Sequence, residues 1–380
     1  MMLLLASSFA VVCAAIPAIM FLRNVTLFIV AERSGDEVVS GEPADLPQVS
    51  VLIPARNEAD GIRAAIEAIL AIKDVVVEVV ILDDHSEDNT AEIVRECSAL
   101  DSRLRLLTGS ALPPSWNGKQ YACYQLAKSS RYPRLLFLDA DVRLADHAIA
   151  DLVKYQDQQN AALLSGFPHQ ETGTWMEKWM IPIMHFILLG FLPFERMRQS
   201  REPAYAAGCG QLFMTRKSDY ETAGTHAAIA SSRHDGVKLP RAYRAAGLST
   251  DCIDATSLAS CRMYDSAATV TRGLLKNATE GIASPRLIVP FTIILLGGSL
   301  LPLVTMIIGL KRSDYLAITM SAIAIGCFHL PRVIAAIKFR QSTMGVWCHV
   351  PSIITFVGIQ WLALVNHLMG RKTPWRGRIG

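Results

Sequence analysis

The chain has 380 residues, which is enough for two or three structural units. Charged residues make up 19% and the mean hydropathy is +0.29, which excludes a disordered chain and argues against a purely soluble one. A net charge of +3 is too small to point to nucleic acid, and eight dispersed cysteines without a Cys-x-x-Cys pair speak against a disulfide framework or zinc site.

Residues 3–22 form an almost unbroken apolar run, long enough to cross a bilayer as a helix. No Lys or Arg precedes the run and Arg23 follows it, the reverse of a cleaved signal peptide. We read 1–23 as a retained anchor with its N-terminus outside, and the polar, Gly- and Pro-containing 24–48 as a linker. A stretch of mixed character follows, 49–285. Within it, 50–53, 75–82 and 135–138 are short runs rich in Val, Ile and Leu, as expected of strands covered on both faces.

Helical periods lie between those runs. Ile62, Ile66, Ile69 and Leu70 recur at helical spacing after Asp60, a plausible N-cap; Ile93, Val94, Cys97 and Leu100 repeat the pattern after Thr90. Strand–helix alternation predicts right-handed βαβ units and an α/β fold built on a mostly parallel sheet. The segment 175–194 (WMEKWMIPIMHFILLGFLPF) is apolar but interrupted by Pro182, Gly190 and Pro193, which suits a membrane interface better than a span.

Three apolar segments close the chain within 286–370. The runs 287–310 and 346–369 are long enough to span; 315–330 is short and meets Pro331 and Arg332, so a tilt, a break or a shallow placement is expected. Strict alternation puts Lys338 and Arg340 inside, in agreement with the positive-inside rule. It puts the basic tail 371–380 (Arg371, Lys372, Arg376, Arg378) outside, against that rule. The expected address is a multi-pass protein of the cell (inner) membrane with its α/β domain cytoplasmic.

Polar clusters sit where the expected strands end: Pro54 to Glu58, Asp83 to Thr90, and Asp139-Ala140-Asp141. Ligands of parallel sheets bind at such ends. Any one cluster alone reads more readily as a polar turn capping the next helix, but three in succession are harder to dismiss. Asp-x-Asp can hold a hard divalent cation, Mg²⁺ or Mn²⁺, which in turn can neutralise a diphosphate leaving group. No GxGxxG or GxxxxGK[ST] motif is present, so dinucleotide and P-loop readings lose support.

Taken together, VSVLIPARNEAD (49–60), VVILDDHSEDNT (79–90), LLFLDADVRL (135–144) and HDGVKL (234–239) resemble the inverting glycosyltransferases of family 2, with the GT-A fold. Trp116-Asn117-Gly118-Lys119, residues 208–226, Arg262-Met263-Tyr264 and Trp375-Arg376-Gly377-Arg378 are similar to membrane-bound bacterial transferases of hopanoid and carotenoid pathways. The resemblance implies donor contacts from Ala55, Arg56, Glu58, Asp83, Asp84 and Asp139, with metal at Asp139 and Asp141. It implies a catalytic base at Asp235, although His234 stands where the family usually has Glu. Lys119 is a candidate phosphate contact. Gly208, Gly210, Gln211 and Arg262 fall on the acceptor side. Arg262 is not followed by Trp, so the processive pattern is incomplete and polymer synthesis is not implied. His169, His226 and His234 lack metal-ligand spacing and read as structural or surface residues. The expected partners are a nucleotide diphosphate sugar, a lipid acceptor and the membrane. Two alternatives stay open: a polyprenyl-phosphate sugar transferase using a basic face at Lys178, Arg196, Arg198 and Arg201, and a non-catalytic membrane scaffold that keeps the fold.

Overall fold

A computed structural model describes residues 1–31 and 46–370; most of the expected linker and the whole basic tail lie outside the described residues. The chain divides into two compact units.

The α/β unit comprises 28–171 and 195–263. Its eight strands are β1 (Gln48–Ala55), β2 (Val76–Asp83), β3 (Leu104–Thr108), β4 (Arg134–Leu138), β5 (Val142–Leu144), β6 (Leu163–Gln170), β7 (Leu212–Arg216) and β8 (Thr250–Cys261). They form one sheet in the order β3-β2-β1-β4-β7-β6-β8-β5. Four pairings are parallel and three antiparallel, so the sheet is mixed with only a narrow parallel majority. The cause lies in the loop before β7. The backbone N–H of Asp139, just past the end of β4, donates to the Gln211 carbonyl at 3.0 Å. That loop therefore enters the sheet at the carboxyl end of β4, and β7 must run backwards along it.

Side-chain alternation builds the core on both faces. Val51, Ile53, Val79, Ile81 and Leu136 pack on one face, with Ile62, Ile66 and Ile69 of the helix Ile62–Leu70 and Val94 and Cys97 of the helix Thr90–Leu100. Leu52, Val80, Leu82 and Phe137 pack on the other face with Ala122, Cys123 and Leu126. Both expected helices are present, but Asp60 caps neither: Gly61 holds the N-cap position of the first, without a side-chain cap bond.

The helical unit comprises 1–27, 172–194 and 264–380. Among the described residues, four of its helices are long and apolar enough to cross a membrane: Met2–Leu27, Ile288–Arg312, Tyr315–Lys338 and His349–Leu368. The first runs past residue 23, into what reads as linker in sequence. Tyr315–Lys338 does not break at Pro331 as expected. Proline removes one helical N–H donor, and helices packed against neighbours tolerate that loss; here the next residue, Arg332, is fastened to the Gly345 carbonyl at 2.7 Å. Residues 175–194 form short helices separated at Pro182 and Pro193, and Gly190 lies against Pro17. The helix Ala267–Asn277, expected in the α/β domain, belongs to the helical unit, where Val270 and Leu274 pack with Met176, Ile353 and Phe356.

Candidate active site

In the sheet, β1 is flanked by β2 on one side and β4 on the other. The chain runs outward from β1 through β2 to β3, then returns to the far side of β1. Such a reversal opens a crevice at the strands' carboxyl ends. The parallel register sets Ala55 opposite Asp83, so the first two polar clusters share one rim.

That rim is braced by its own side chains. Arg56 donates to the Asp84 carbonyl at 2.7 Å. Asn57, with φ +55°, accepts from the Glu87 backbone at 2.8 Å. The Glu58 N–H donates to the Thr90 hydroxyl at 2.8 Å. Burial works against the charge on Asp88, but hydrogen bonds from Thr90 and from the Ala59 backbone hold its carboxyl below the ordinary range. Asp83 is buried and its carboxylate accepts from the Ser86 N–H at 3.3 Å.

The third cluster meets residues far away in sequence. The helix Gly118–Ser129 begins at an Asn117 cap, whose side chain accepts from the Lys119 N–H. The cap points Lys119 at two carboxylates: its ammonium is 2.6 Å from Asp139 Oδ1 and 2.8 Å from Asp235 Oδ2. A third contact runs to the Gly210 carbonyl at 3.1 Å. Burial opposes the charge on Lys119, but the two carboxylates outweigh it and raise the ammonium well above its usual range. Burial pushes Asp139 up to about 6 against the attraction of Lys119, and the carboxylates of Asp141 and Asp235 push the same way.

Asp235 opens the helix Asp235–Ala245, and its other oxygen accepts from the Gly236 N–H at 2.8 Å. Glycines leave the space it occupies. A Cβ on Gly210 would fall 2.1 Å from Asp235 Oδ1, and one on Gly236 would fall 2.7 Å from the Gly208 carbonyl. The loop is held from below by the Ser165 hydroxyl, which accepts from the Cys209 N–H at 2.7 Å. Gly210, expected on the acceptor side, is packed against the Asp235 carboxylate; Gly208, expected on the same side, is packed against Ser165 and Gly236. Gln211 is buried between Gln170 and Cys261 (2.9 and 2.8 Å), and Arg262 lies exposed just past β8.

Burial pushes the Cys209 thiol up to about 12 and raises Cys123 and Cys261 further, so no thiolate nucleophile is offered. His226 is buried against Phe137 and bonded to the Tyr220 hydroxyl at 2.7 Å; burial lowers it to about 3, and it is neutral. The basic face of the polyprenyl-phosphate alternative is partly committed: Arg198 pairs with Asp251 at 3.0 Å and Arg201 donates to the Gly247 carbonyl at 2.6 Å. Ser165 and Gln170 carry no sequence signal of a role. The bond between Lys119 and Asp235 spans more than a hundred residues, which no local motif encodes.

An α/β sheet with this reversal, an Asp-x-Asp at its mouth and a remote carboxylate joined to it through one ammonium define a glycosyltransferase of the GT-A type. Residues 50–224 match the family described as glycosyl transferase family 2, and with the relatives below this marks the chain as a glycosyltransferase. It is 29% identical over 269 residues to a 4,4'-diaponeurosporenoate glycosyltransferase of Staphylococcus haemolyticus, covering 70% of this chain and 68% of that one. It is 28% identical to the enzyme of the same name in Staphylococcus aureus (strain USA300), covering 69% of each. Among solved structures, a mannosyltransferase from Pyrobaculum calidifontis in complex with GDP-Man and Mn²⁺ has a TM-score of 0.57. It shares 16% identity and covers 97% of this chain and 100% of its own, a likeness of fold.

Proposed function

We propose that this glycosyltransferase is membrane-bound and inverting, and moves a sugar from a nucleoside diphosphate sugar to a lipid acceptor in a single displacement. The observation that carries the reading is the Lys119 ammonium shared by Asp139 and Asp235. It joins a residue of the leaving-group side to a residue of the acceptor side. In this reading Asp235 takes the proton of the acceptor hydroxyl as its oxygen attacks the anomeric carbon. Lys119 faces the diphosphate that departs from the opposite side. The rim residues Ala55, Arg56, Glu58, Asp83 and Asp84 hold the nucleoside. Four apolar helices and relatives named for 4,4'-diaponeurosporenoate support a lipid acceptor at the cell membrane; the cytoplasmic side proposed for the α/β unit rests on Lys338 and Arg340 and the positive-inside rule.

Asp139 and Asp141 would hold Mg²⁺ or Mn²⁺. The donor set fits. Both are hard oxygen ligands, and Asp139 already takes a cation, the Lys119 ammonium, as its partner. Among the described residues no group of three or more His, Cys, Asp or Glu could cage an ion. An ion held by these two carboxylates would complete its shell with water and substrate phosphates. When bound, such an ion supplies charge neutralisation to the diphosphate.

The test is incubation of the purified full chain with labelled UDP- and GDP-sugars and total membrane lipid, followed by mass spectrometry of the lipids. Labelled lipid should form, stop with EDTA and return with Mg²⁺ or Mn²⁺. Donor consumed without labelled lipid would refute the lipid acceptor, and full activity of Asp141→Ala in chelator would refute the metal assignment.

A further inference from the structure

The helical unit buries a guanidinium that no carboxylate neutralises. Arg332 is 1% exposed. Its Nε and one terminal nitrogen donate to the Gly345 carbonyl at 3.3 and 2.7 Å, while Nη1 has no hydrogen-bond partner among the described residues. No ion pair among the described residues includes it. His349 is equally buried, and its Nδ1 also lacks a partner. Its ring stacks on Phe328 at 4.8 Å, with His329 a further 6.1 Å away.

The α/β unit contains the natural control. Arg244 is 2% exposed and also has no acidic partner, yet each of its side-chain nitrogens is used. Nε donates to the Glu202 carbonyl and Nη1 to the Thr250 hydroxyl; Nη2 donates to the Met197 and Ser200 carbonyls. Burying a guanidinium is thus possible without an acid when every donor is satisfied. Arg332 leaves a donor over, in an apolar helix bundle where an unpaired charge is most costly.

Depth and surroundings narrow the missing acceptor. Arg332 lies six residues before Lys338, the end of its helix, which is about 9 Å along the axis. His349 opens its own helix, two residues after Trp347, which is 83% exposed. Tryptophan and terminal lysine mark the level of lipid headgroups. His349 also lines a small apolar cleft with Pro17, Phe186, Leu295 and Phe328. Two buried side chains just below headgroup level, each with an unpartnered nitrogen among the described residues, are matched to an amphiphile with one acidic oxygen group. We propose that Arg332 and His349 form a binding site for the anionic headgroup, carboxylate or phosphate, of a membrane lipid. The inference rests on the membrane reading above and is independent of the sugar-transfer chemistry.

The test uses the full chain in dodecyl maltoside, titrated with oleate, lysophosphatidic acid, lysophosphatidylcholine and inorganic phosphate. Occupancy is read by native mass spectrometry and stability by the melting midpoint. Oleate or lysophosphatidic acid should bind one per chain and raise the midpoint, whereas lysophosphatidylcholine and inorganic phosphate should do neither. Arg332→Gln should weaken that binding at least about tenfold, and His349→Gln by a smaller factor. Equal binding of lysophosphatidylcholine, or unchanged affinity in Arg332→Gln, would overturn the site. Saturable binding of inorganic phosphate alone would overturn its assignment to a lipid. Should Arg332→Gln fail to fold, the wild-type contrast between lysophosphatidic acid and lysophosphatidylcholine decides the matter. Carbonate extraction of the wild type tests the membrane reading separately: a chain released by carbonate yet selective for anionic lipid in detergent would fault that reading and leave the site standing.

Discussion

The two units handle most of their buried polarity differently, with Arg244 of the α/β unit an exception. In the α/β unit, charge meets charge: Glu78, 3% exposed, receives Arg105 at 2.9 Å, the Ser50 hydroxyl and the Arg131 backbone, and Lys119 answers both Asp139 and Asp235. In the helical unit, side chains answer backbone. Asn24 donates to the carbonyls of Leu189 and Leu192, and Lys338 to that of Val25. Paired charges in a half-wet crevice can be regrouped when a charged ligand arrives. Side-chain bonds to backbone in an apolar bundle have no such alternative, so they fix helix positions. The first unit should therefore fail in chemistry when altered, and the second in stability.

Four substitutions sharpen or break that contrast. The largest effect is expected at Asp235. Asn retains the hydrogen bond to Gly236 but cannot take a proton, so Asp235→Asn should fold and bind donor normally while transfer falls at least about a hundredfold. Turnover like the wild type would leave Asp235 a structural residue. Gly210→Ala comes next. Its new methyl must displace the Asp235 carboxylate, and a misplacement of this scale costs about a hundredfold at most. The loss should appear in kcat with donor KM little changed; an equal rise in donor KM would mean that the loop serves the nucleotide instead.

In the helical unit, Asn24→Ala strips partners from two carbonyls and from the Phe194 N–H. It should cost about 1–3 kcal/mol, seen as a lowered melting midpoint with transfer per folded molecule unchanged. A kinetic defect without a stability defect would break the contrast. The smallest effect concerns acid. His226 is lowered to about 3 in the fold, so above the unfolded value of 6.5 both states are neutral and stability is full. As pH falls from 6.5 toward 3, the unfolded chain binds a proton that the fold refuses. Stability is lost by no more than about 1.4 kcal/mol per pH unit from this group. His226→Gln should flatten the acid slope of the melting midpoint; an unchanged slope would assign acid sensitivity to other groups.

The two units were also unequally legible in sequence. Strand ends announce themselves because an apolar run stops abruptly in Asp, Asn or Glu, and this located the Ala55–Glu58, Asp83–Asp84 and Asp139–Asp141 clusters. What escaped was everything set by tertiary closure. Nothing local says that Lys119 reaches Asp235, that Gly210 leaves room for that carboxylate, or that the loop before β7 reverses its strand. In the helical unit, length and hydropathy locate four helices but not their ends or partners. Pro331 suggests a stop, although packing carries the helix on to Lys338. The helix Ala267–Asn277 looks soluble by composition, yet Val270 and Leu274 give it one apolar face and a place in the bundle.

The close packing of glycines near Asp235 has a consequence for mutational tolerance. At Gly208 an added methyl would meet the Ser165 hydroxyl at 2.9 Å; at Gly210 it would meet Asp235 and at Gly236 the Gly208 carbonyl. A saturation library of this chain should therefore show three intolerant glycines ringing one acidic position, even for alanine. Gly326 and Gly358, whose added methyls would meet nothing within 4 Å, should accept alanine freely. That contrast depends only on steric room around the loop that backs Asp235, so a screen that reads activity could map the reactive corner of the enzyme before its sugar or its acceptor has been identified.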